Sequence, residues 1–557
     1  MRTPDFSRWF LLSWLLLVIG FGLCIAFNPG KQIASESIAI PLETDRAIFG
    51  KLYTPRGVLT PYPVMVLGHG VNNSKATTAP LAMELARHGI AALTFDFGGF
   101  GESYPLSTAE KSIESLETST LEDARSVLAW IRDRPERLDP TRIGIGGHSM
   151  GGTTALQLAQ IDPQLRATVV LSMSGTATST APRNLFFGVG VYDQMNSPRD
   201  IRIAMQAATA SPDITCLDWD ICGDFAAGTA RQLAISATAD HVFAPYDGRL
   251  TAAVIRWVRQ SFAIETQDVS LVLPGWILGW ELAFAGGLGV GIWGIGQLDR
   301  RVAGSRWRRL WRYGNPAFGA MVTIALWGYF DTKSSEIAAN LLLFSYVLLL
   351  ASNYALRDRK IFLKALRLLG LYALLFEFAM LLPTWICGLG ELWQQPIYLV
   401  GLPQLIGQWL LWSGYWVAPF IKAAFFPVHT LELQLSGLFV LLVLWEFLRP
   451  GATFGAIEWV AVLGVRWLRR PFQVSVGRVS SQQIAGLSIL LGLLAIVLHQ
   501  RATDGLLELF ASQGGLVVRQ LSLLLVLPLV TIVGCARSRW FRRWEMAAID
   551  DKTFDLT

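Results

Sequence analysis

The chain has 557 residues, of which 52% are apolar and only 16% charged, with a formal net charge of +5. That balance excludes a single soluble globular domain, where about a quarter of residues are charged. The excess positive charge sits in arginine clusters that flank apolar runs, so no nucleic-acid partner is expected.

In chain order, the first element is the 18-residue apolar run Phe10 to Phe27, preceded by Arg2 and Arg8. It is long enough to span a bilayer and longer than the core of a usual signal peptide. Cys24-Ile25-Ala26 makes a poor cleavage site, so residues 1–27 read as an uncleaved anchor, with cleavage as the alternative. Pro63 to Leu67 then reads as a buried strand ending in Gly68-His69-Gly70-Val71, a loop that enters a helix near Ala79. Gly89 to Phe95 is a second such strand, followed by Asp96-Phe97-Gly98-Gly99-Phe100-Gly101-Glu102-Ser103. A third, Arg142 to Ile145, runs into Gly147-His148-Ser149-Met150-Gly151 and the helix-like run from Gly152 to Ala159.

Strand, sharp turn and helix around a central serine form the strained turn of the G-x-S-x-G pattern, which only small neighbours permit. The turn lifts the serine hydroxyl out of the sheet, and the helix N-terminus faces charge developing beside it. Together with His-Gly after one strand and D-x-x-G-x-G-x-S after the next, the segment from about residue 35 to 262 resembles the α/β-hydrolase superfamily. Asp96 reads as a residue that structures its loop. The expected architecture is α/β, a doubly wound and mostly parallel sheet over residues 28–265, joined to an all-α multi-span transmembrane domain over 266–557.

The resemblance implies a nucleophile, acid and base in the order serine, acid, histidine, with Ser149 as nucleophile. It also implies an oxyanion hole from two backbone N–H groups, assigned to Val71 and Met150. Of six histidines, His429 and His499 lie in the apolar half, His69 in the oxyanion loop, His88 at a helix end and His148 beside the serine. His241 remains. It follows the strand-like Gln232 to Ser236 and precedes the helix Leu250 to Val258. Two acids compete. Asp193 ends the strand-like Leu185 to Tyr192 and is preferred; Asp240 is the alternative, but neighbouring side chains of extended chain point to opposite faces, and Asp240 adjoins His241.

Only about a dozen residues separate the strand ending near Met173 from the one beginning at Leu185, which leaves no room for a substrate-covering cap. The longer segment 194–231 contains Cys216 and Cys222, the only cysteines of the hydrophilic domain. In an oxidising compartment they pair as a disulfide. No histidine or further cysteine stands near them, and no P-loop, EF-hand or zincin pattern occurs, so neither metal nor cofactor is expected.

After residue 270 the apolar runs come in series, about nine by their length. Sixteen of the 21 tryptophans lie in this half, as interfacial belts require. Arginine and lysine cluster around Arg300 to Arg312, Arg357 to Arg367, Arg466 to Arg478 and Arg537 to Arg543, all on the side of the N-terminus if the spans total ten. The positive-inside rule makes that side cytoplasmic and puts the hydrolase-like segment on the extracytoplasmic side of a cell membrane. The expected activity is hydrolysis of an ester, thioester or amide, with a small-molecule or lipid ester as substrate and the bilayer as partner. Two readings stay open beside it: a transporter or membrane-assembly protein carrying an inactive hydrolase fold, and an acyltransferase using the same three residues. Glu281, Glu377, Glu458 and Arg519 fall in or near apolar runs and are candidates for the former.

Overall fold

A computed structural model describes residues 5–42, 46–71, 73–106, 113–193, 195–209, 218–265, 268–276 and 527–549, with individual helical positions from 278 to 290 and from 367 to 382. Cys216, Glu281, Glu377, Glu458, Arg519 and most of the apolar runs expected after residue 290 lie outside the described residues.

Nine strands form one sheet: β1 (Ile33–Pro41), β2 (Ala47–Pro55), β3 (Tyr62–Gly68), β4 (Ala91–Phe95), β5 (Leu138–His148), β6 (Ala167–Leu171), β7 (Leu185–Tyr192), β8 (Ile221–Cys222) and β9 (Arg231–Asp240). Their order across the sheet is β1-β2-β4-β3-β5-β6-β7-β9-β8. The six central strands are parallel; β2 pairs antiparallel with both β4 and the edge strand β1, and β8, the other edge, pairs antiparallel with β9. The parallel strands are short and almost wholly apolar because helices cover both their faces. On β3, Met65 and Leu67 pack with helices α2 (Ala79–Arg87) and α6 (Gly248–Ser261), around Leu85, Val254 and Trp257. Val64 and Val66 point to the other face. There they meet α3 (Ile113–Arg132) and α4 (Met150–Ile161) through Val127, Leu128, Ile131 and Leu158. Farther along that face, α5 (Pro198–Ala207) lays Ile201 and Met205 on Phe187, Val189 and Ile235. This is an α/β-hydrolase fold with crossover helices on both sides of a mostly parallel sheet.

The α1 helix (Asp5–Ala26) leads into β1. The segment Phe10–Lys31, which contains most of α1, has a mean hydropathy of 2.6 and is the only one among the described residues long and apolar enough to cross a membrane. A second helix begins at Leu273 and runs beside α1 along a row of small residues. A methyl on Gly275 would lie 2.7 Å from the Phe27 ring, and one on Gly279 would lie 2.7 Å from the backbone nitrogen of Cys24. One on Gly286 would meet the backbone of Leu17 and Ser13. Glycine at these turns is what lets the two backbones approach this closely. The start of the second helix is fastened to the α/β domain. The buried Glu84 carboxylate accepts from the N–H groups of Val272 (2.8 Å) and Leu273 (2.9 Å), while Arg87 binds Glu84, Gln32 and the Ser270 carbonyl.

A separate compact unit comprises Leu350–Gly390 and Leu433–Thr557. Within it, α7 (Leu527–Arg537) and α8 (Arg539–Ile549) join at Ser538, and Phe541 packs against Leu375, Ile532 and Cys535.

Candidate active site

Three loops at the C-terminal ends of the parallel strands build the site, the place where open α/β sheets carry ligands. Ser149 sits between β5 and α4 with φ 53° and ψ −118°, a left-handed conformation that a β-carbon makes costly. The surroundings over-determine it. The Ser149 N–H donates to the Leu171 carbonyl (2.9 Å) and Gly151 donates to the His69 carbonyl (3.0 Å). A methyl on either Gly147 or Gly151 would run into backbone, of Gly151 in the first case and of Gly68 in the second. Both glycines are therefore required by close approach.

Ser149 Oγ lies 3.1 Å from His241 Nε2, and His241 Nδ1 lies 3.0 and 3.1 Å from the two oxygens of Asp193. All three side chains are buried, Asp193 with 1% of its surface exposed, His241 with 6% and Ser149 with 8%. A carboxylate only accepts, so Nδ1 carries the proton and Nε2 is left as acceptor for the Ser149 hydroxyl. Asp193 is itself fixed by the N–H groups of Met195 (2.9 Å) and Asn196 (2.7 Å). Burial opposes its charge, but His241 and these two donors outweigh burial and hold its pKa below the ordinary carboxylate range. Burial likewise opposes protonation of His241, yet the Asp193 carboxylate, with a further contribution from Asp240, raises the imidazole pKa.

The alternative acid is placed elsewhere. Asp240 ends β9 and accepts from the Phe243 N–H (2.9 Å), closing the turn after His241. Of the expected oxyanion donors, Met150 directly follows the serine and opens α4, and Val71, 46% exposed, lies in the loop after β3, next to Gly70, which approaches Ser149. Among the described residues neither N–H meets a protein acceptor. Between β6 and β7 the chain runs from Ser172 to Asn184 without a helix, so no cap covers the strand ends there. The described part of the segment after Asp193 forms α5 and the edge strand β8, tied by the Arg202–Asp218 ion pair. Cys222 lies on β8, and the free thiols among the described residues are Cys24 and Cys535.

Two features of the site are absent from the sequence reading. Lys75 extends from the loop after β3 into the buried Asp96 carboxylate (2.5 Å) and on to Glu102 (2.7 Å), while its own N–H also binds Asp96 (2.6 Å). Asp96, which the sequence marks as structuring its loop, thus joins the loop after β4 to the one after β3. Burial works against the Lys75 charge, but the two carboxylates overcome it and raise its pKa. His69 donates from Nδ1 to the Gly70 carbonyl and accepts on Nε2 from the Phe97 N–H, which fixes the same loop from its other end.

Comparisons with known proteins find matches to part of this chain. Residues 60–190 match the family model of serine aminopeptidases, S33. A thiohydrolase of Aspergillus aculeatus is 33% identical over 105 residues, 19% of this chain and 31% of the relative. Cutinase 2 of Thermobifida cellulosilytica is 31% identical over 143 residues, 26% of this chain and 51% of the relative. The matched stretch thus spans a third to about half of these relatives. A cold-adapted esterase from an Arctic intertidal metagenomic library aligns over 42% of this chain and 95% of its own, with 16% identity and a TM-score of 0.32.

Proposed function

We propose that residues 28–265 form a membrane-tethered serine hydrolase acting on a carboxylic ester or thioester through an acyl-enzyme. The observation that carries this reading is the unbroken line from Ser149 Oγ through His241 to Asp193, set on a strained strand-to-helix turn. His241 Nε2 takes the hydroxyl proton as Oγ attacks the carbonyl carbon, and the Val71 and Met150 N–H groups receive the oxyanion. The imidazolium then returns its proton to the leaving alkoxide or thiolate. Water repeats the sequence and releases the acid, restoring Ser149. The names of the relatives, cutinases and a thiohydrolase, support an oxygen or sulfur ester.

Membrane embedding rests on α1, whose Leu11, Leu15 and Val18 are more than half exposed, and on its close packing with the helix from Leu273. Side chains of that kind find their solvent in lipid. The arginine pattern supports an extracytoplasmic hydrolase domain, and in that compartment Cys216 and Cys222 form a disulfide.

Treating membranes with a fluorophosphonate probe tests the reading. Wild type is expected to be labelled and Ser149→Ala not, with ester turnover of the variant reduced by roughly 10⁴- to 10⁶-fold. Equal labelling of both would remove Ser149 as nucleophile. A membrane-impermeant thiol reagent is expected to reach Ser112→Cys from outside spheroplasts but not Ser305→Cys; the inverse pattern would place the hydrolase in the cytoplasm.

A further inference from the structure

His148 holds the variable position of the serine turn, yet its ring reaches the backbone of His241 and adjoins the loop after β3. It ends β5 and is 3% exposed. Its Nε2 lies 2.7 Å from the backbone carbonyl of His241, across 93 residues of chain. A carbonyl only accepts, so Nε2 carries a proton and donates it. The two imidazole rings stand 5.0 Å apart, tilted by 51°. On the other side, a methyl on Gly70 would sit 3.1 Å from His148 Nδ1 and 3.3 Å from Ser149 Cβ, so the oxyanion loop closes directly on this ring. One buried ring therefore adjoins the nucleophile's turn, the loop of Val71 and the backbone of the base.

From this geometry, and resting on the hydrolase reading above, we infer that His148 is a positioning residue whose Nε2–H fixes the backbone of His241 and thereby sets the base over Ser149. His241 lies in a loop: it follows the last residue of β9, and α6 begins only at Gly248. The Asp193 carboxylate meets the ring at Nδ1 and the Ser149 hydroxyl at Nε2, but contacts to the side chain leave the loop backbone some freedom to shift. Anchoring the carbonyl of the same residue removes that freedom. A shift of about 1 Å in a reacting group is enough to cost on the order of 10²-fold in rate. The hydrogen bond acts in every step in which His241 moves a proton and touches no substrate, so it is expected to govern kcat and leave KM alone.

The test uses the full-length protein in detergent, with active sites counted by fluorophosphonate titration, so that kcat refers only to folded enzyme. Two variants are compared on p-nitrophenyl butyrate. His148→Phe keeps a ring of similar size but has no donor; His148→Gln carries an N–H at a similar reach. His148→Phe is expected to lose roughly 10- to 100-fold in kcat per titrated site, the effect of leaving a buried carbonyl unpaired. Its KM is expected to stay within about twofold, and His148→Gln within about threefold of wild type on both constants. Wild-type kcat in His148→Phe would overturn the inference, as would a His148→Gln variant no faster than His148→Phe. Absence of labelling in wild type would overturn the hydrolase reading itself, an outcome distinct from either.

Discussion

His241 Nδ1 lies 3.0 Å from one Asp193 oxygen and 3.1 Å from the other, so the carboxylate faces the imidazole edge with both acceptors. Asp240, one residue before His241, faces the Phe243 N–H instead. The two aspartates thus hold opposite sides of the same loop, one orienting the ring and one closing the turn.

Asparagine at the two positions is therefore expected to have unequal effects. Asp193→Asn presents an amide N–H to Nδ1, selects the wrong tautomer and costs on the order of 10⁴ in kcat. Asp240→Asn keeps an acceptor for Phe243 and is expected to cost less than tenfold, through the loss of a nearby charge. Steady-state kinetics of both variants on one ester decides the matter, and the reverse ranking would move the acid to Asp240.

The raised pKa of His241 fixes the sign of the pH dependence. The base must be neutral, so kcat/KM is expected to fall as pH drops through the His241 pKa, with a midpoint above the ordinary histidine value of 6.5. Because the Asp193 carboxylate is the principal cause of the upward shift, Asp193→Asn is expected to move that midpoint down in whatever activity remains. A pH–rate profile with an unchanged midpoint would show that the carboxylate does not set it.

How much of this was legible before the fold depends on where each residue draws its signal. β7 coincides with the apolar run Leu185 to Tyr192, and the parallel strands are visible because burial on both faces leaves an unbroken apolar signature. β1 carries little periodic signal, because along this edge strand only Ile33 and Ile40 are buried. Ser149, Asp193 and His241 could be nominated because each follows directly on a strand, and the fold brings the three side chains together. The Lys75–Asp96 pair and the His148–His241 contact could not, since both join residues distant in sequence and nothing local marks them.

Asp123 supplies a prediction about stability. It is buried on α3, accepts from the Gly98 N–H (2.7 Å) and the Tyr104 hydroxyl (2.9 Å), and burial pushes its pKa up from 3.8 to about 6. A raised carboxyl pKa means that the folded state binds the proton more tightly than the unfolded one, so stability falls as pH rises from about 4 to about 6. A shift of about 2 units corresponds to roughly 3 kcal/mol. Asp123→Asn cannot ionise and is expected to flatten this decline, which the Tm of the two proteins measured between pH 4 and 7 will show. Parallel Tm curves would mean that Asp123 does not titrate in that range.

The connection between the hydrolase domain and the helix from Leu273 rests on one carboxylate. Glu84, 1% exposed, takes two of the N–H groups that the start of a helix leaves without partners, and Arg87 joins it to the Ser270 carbonyl and to Gln32 beyond α1. Glu84→Ala strands both N–H groups, that of Leu273 buried and that of Val272 partly so, at an expected cost of about 1–3 kcal/mol each, whereas Glu84→Gln keeps the Oε1 acceptor for them and gives up the charge and the Oε2 acceptor of Arg87. The alanine variant is therefore expected to open the chain between Glu265 and Val272 to limited proteolysis in detergent, while the Ser149 probe still labels the released domain. The glutamine variant is expected to resist cleavage nearly as well as wild type. Should the alanine variant resist it equally, the attachment of the two parts rests on the apolar packing of Leu271, Leu273 and Trp276 rather than on Glu84.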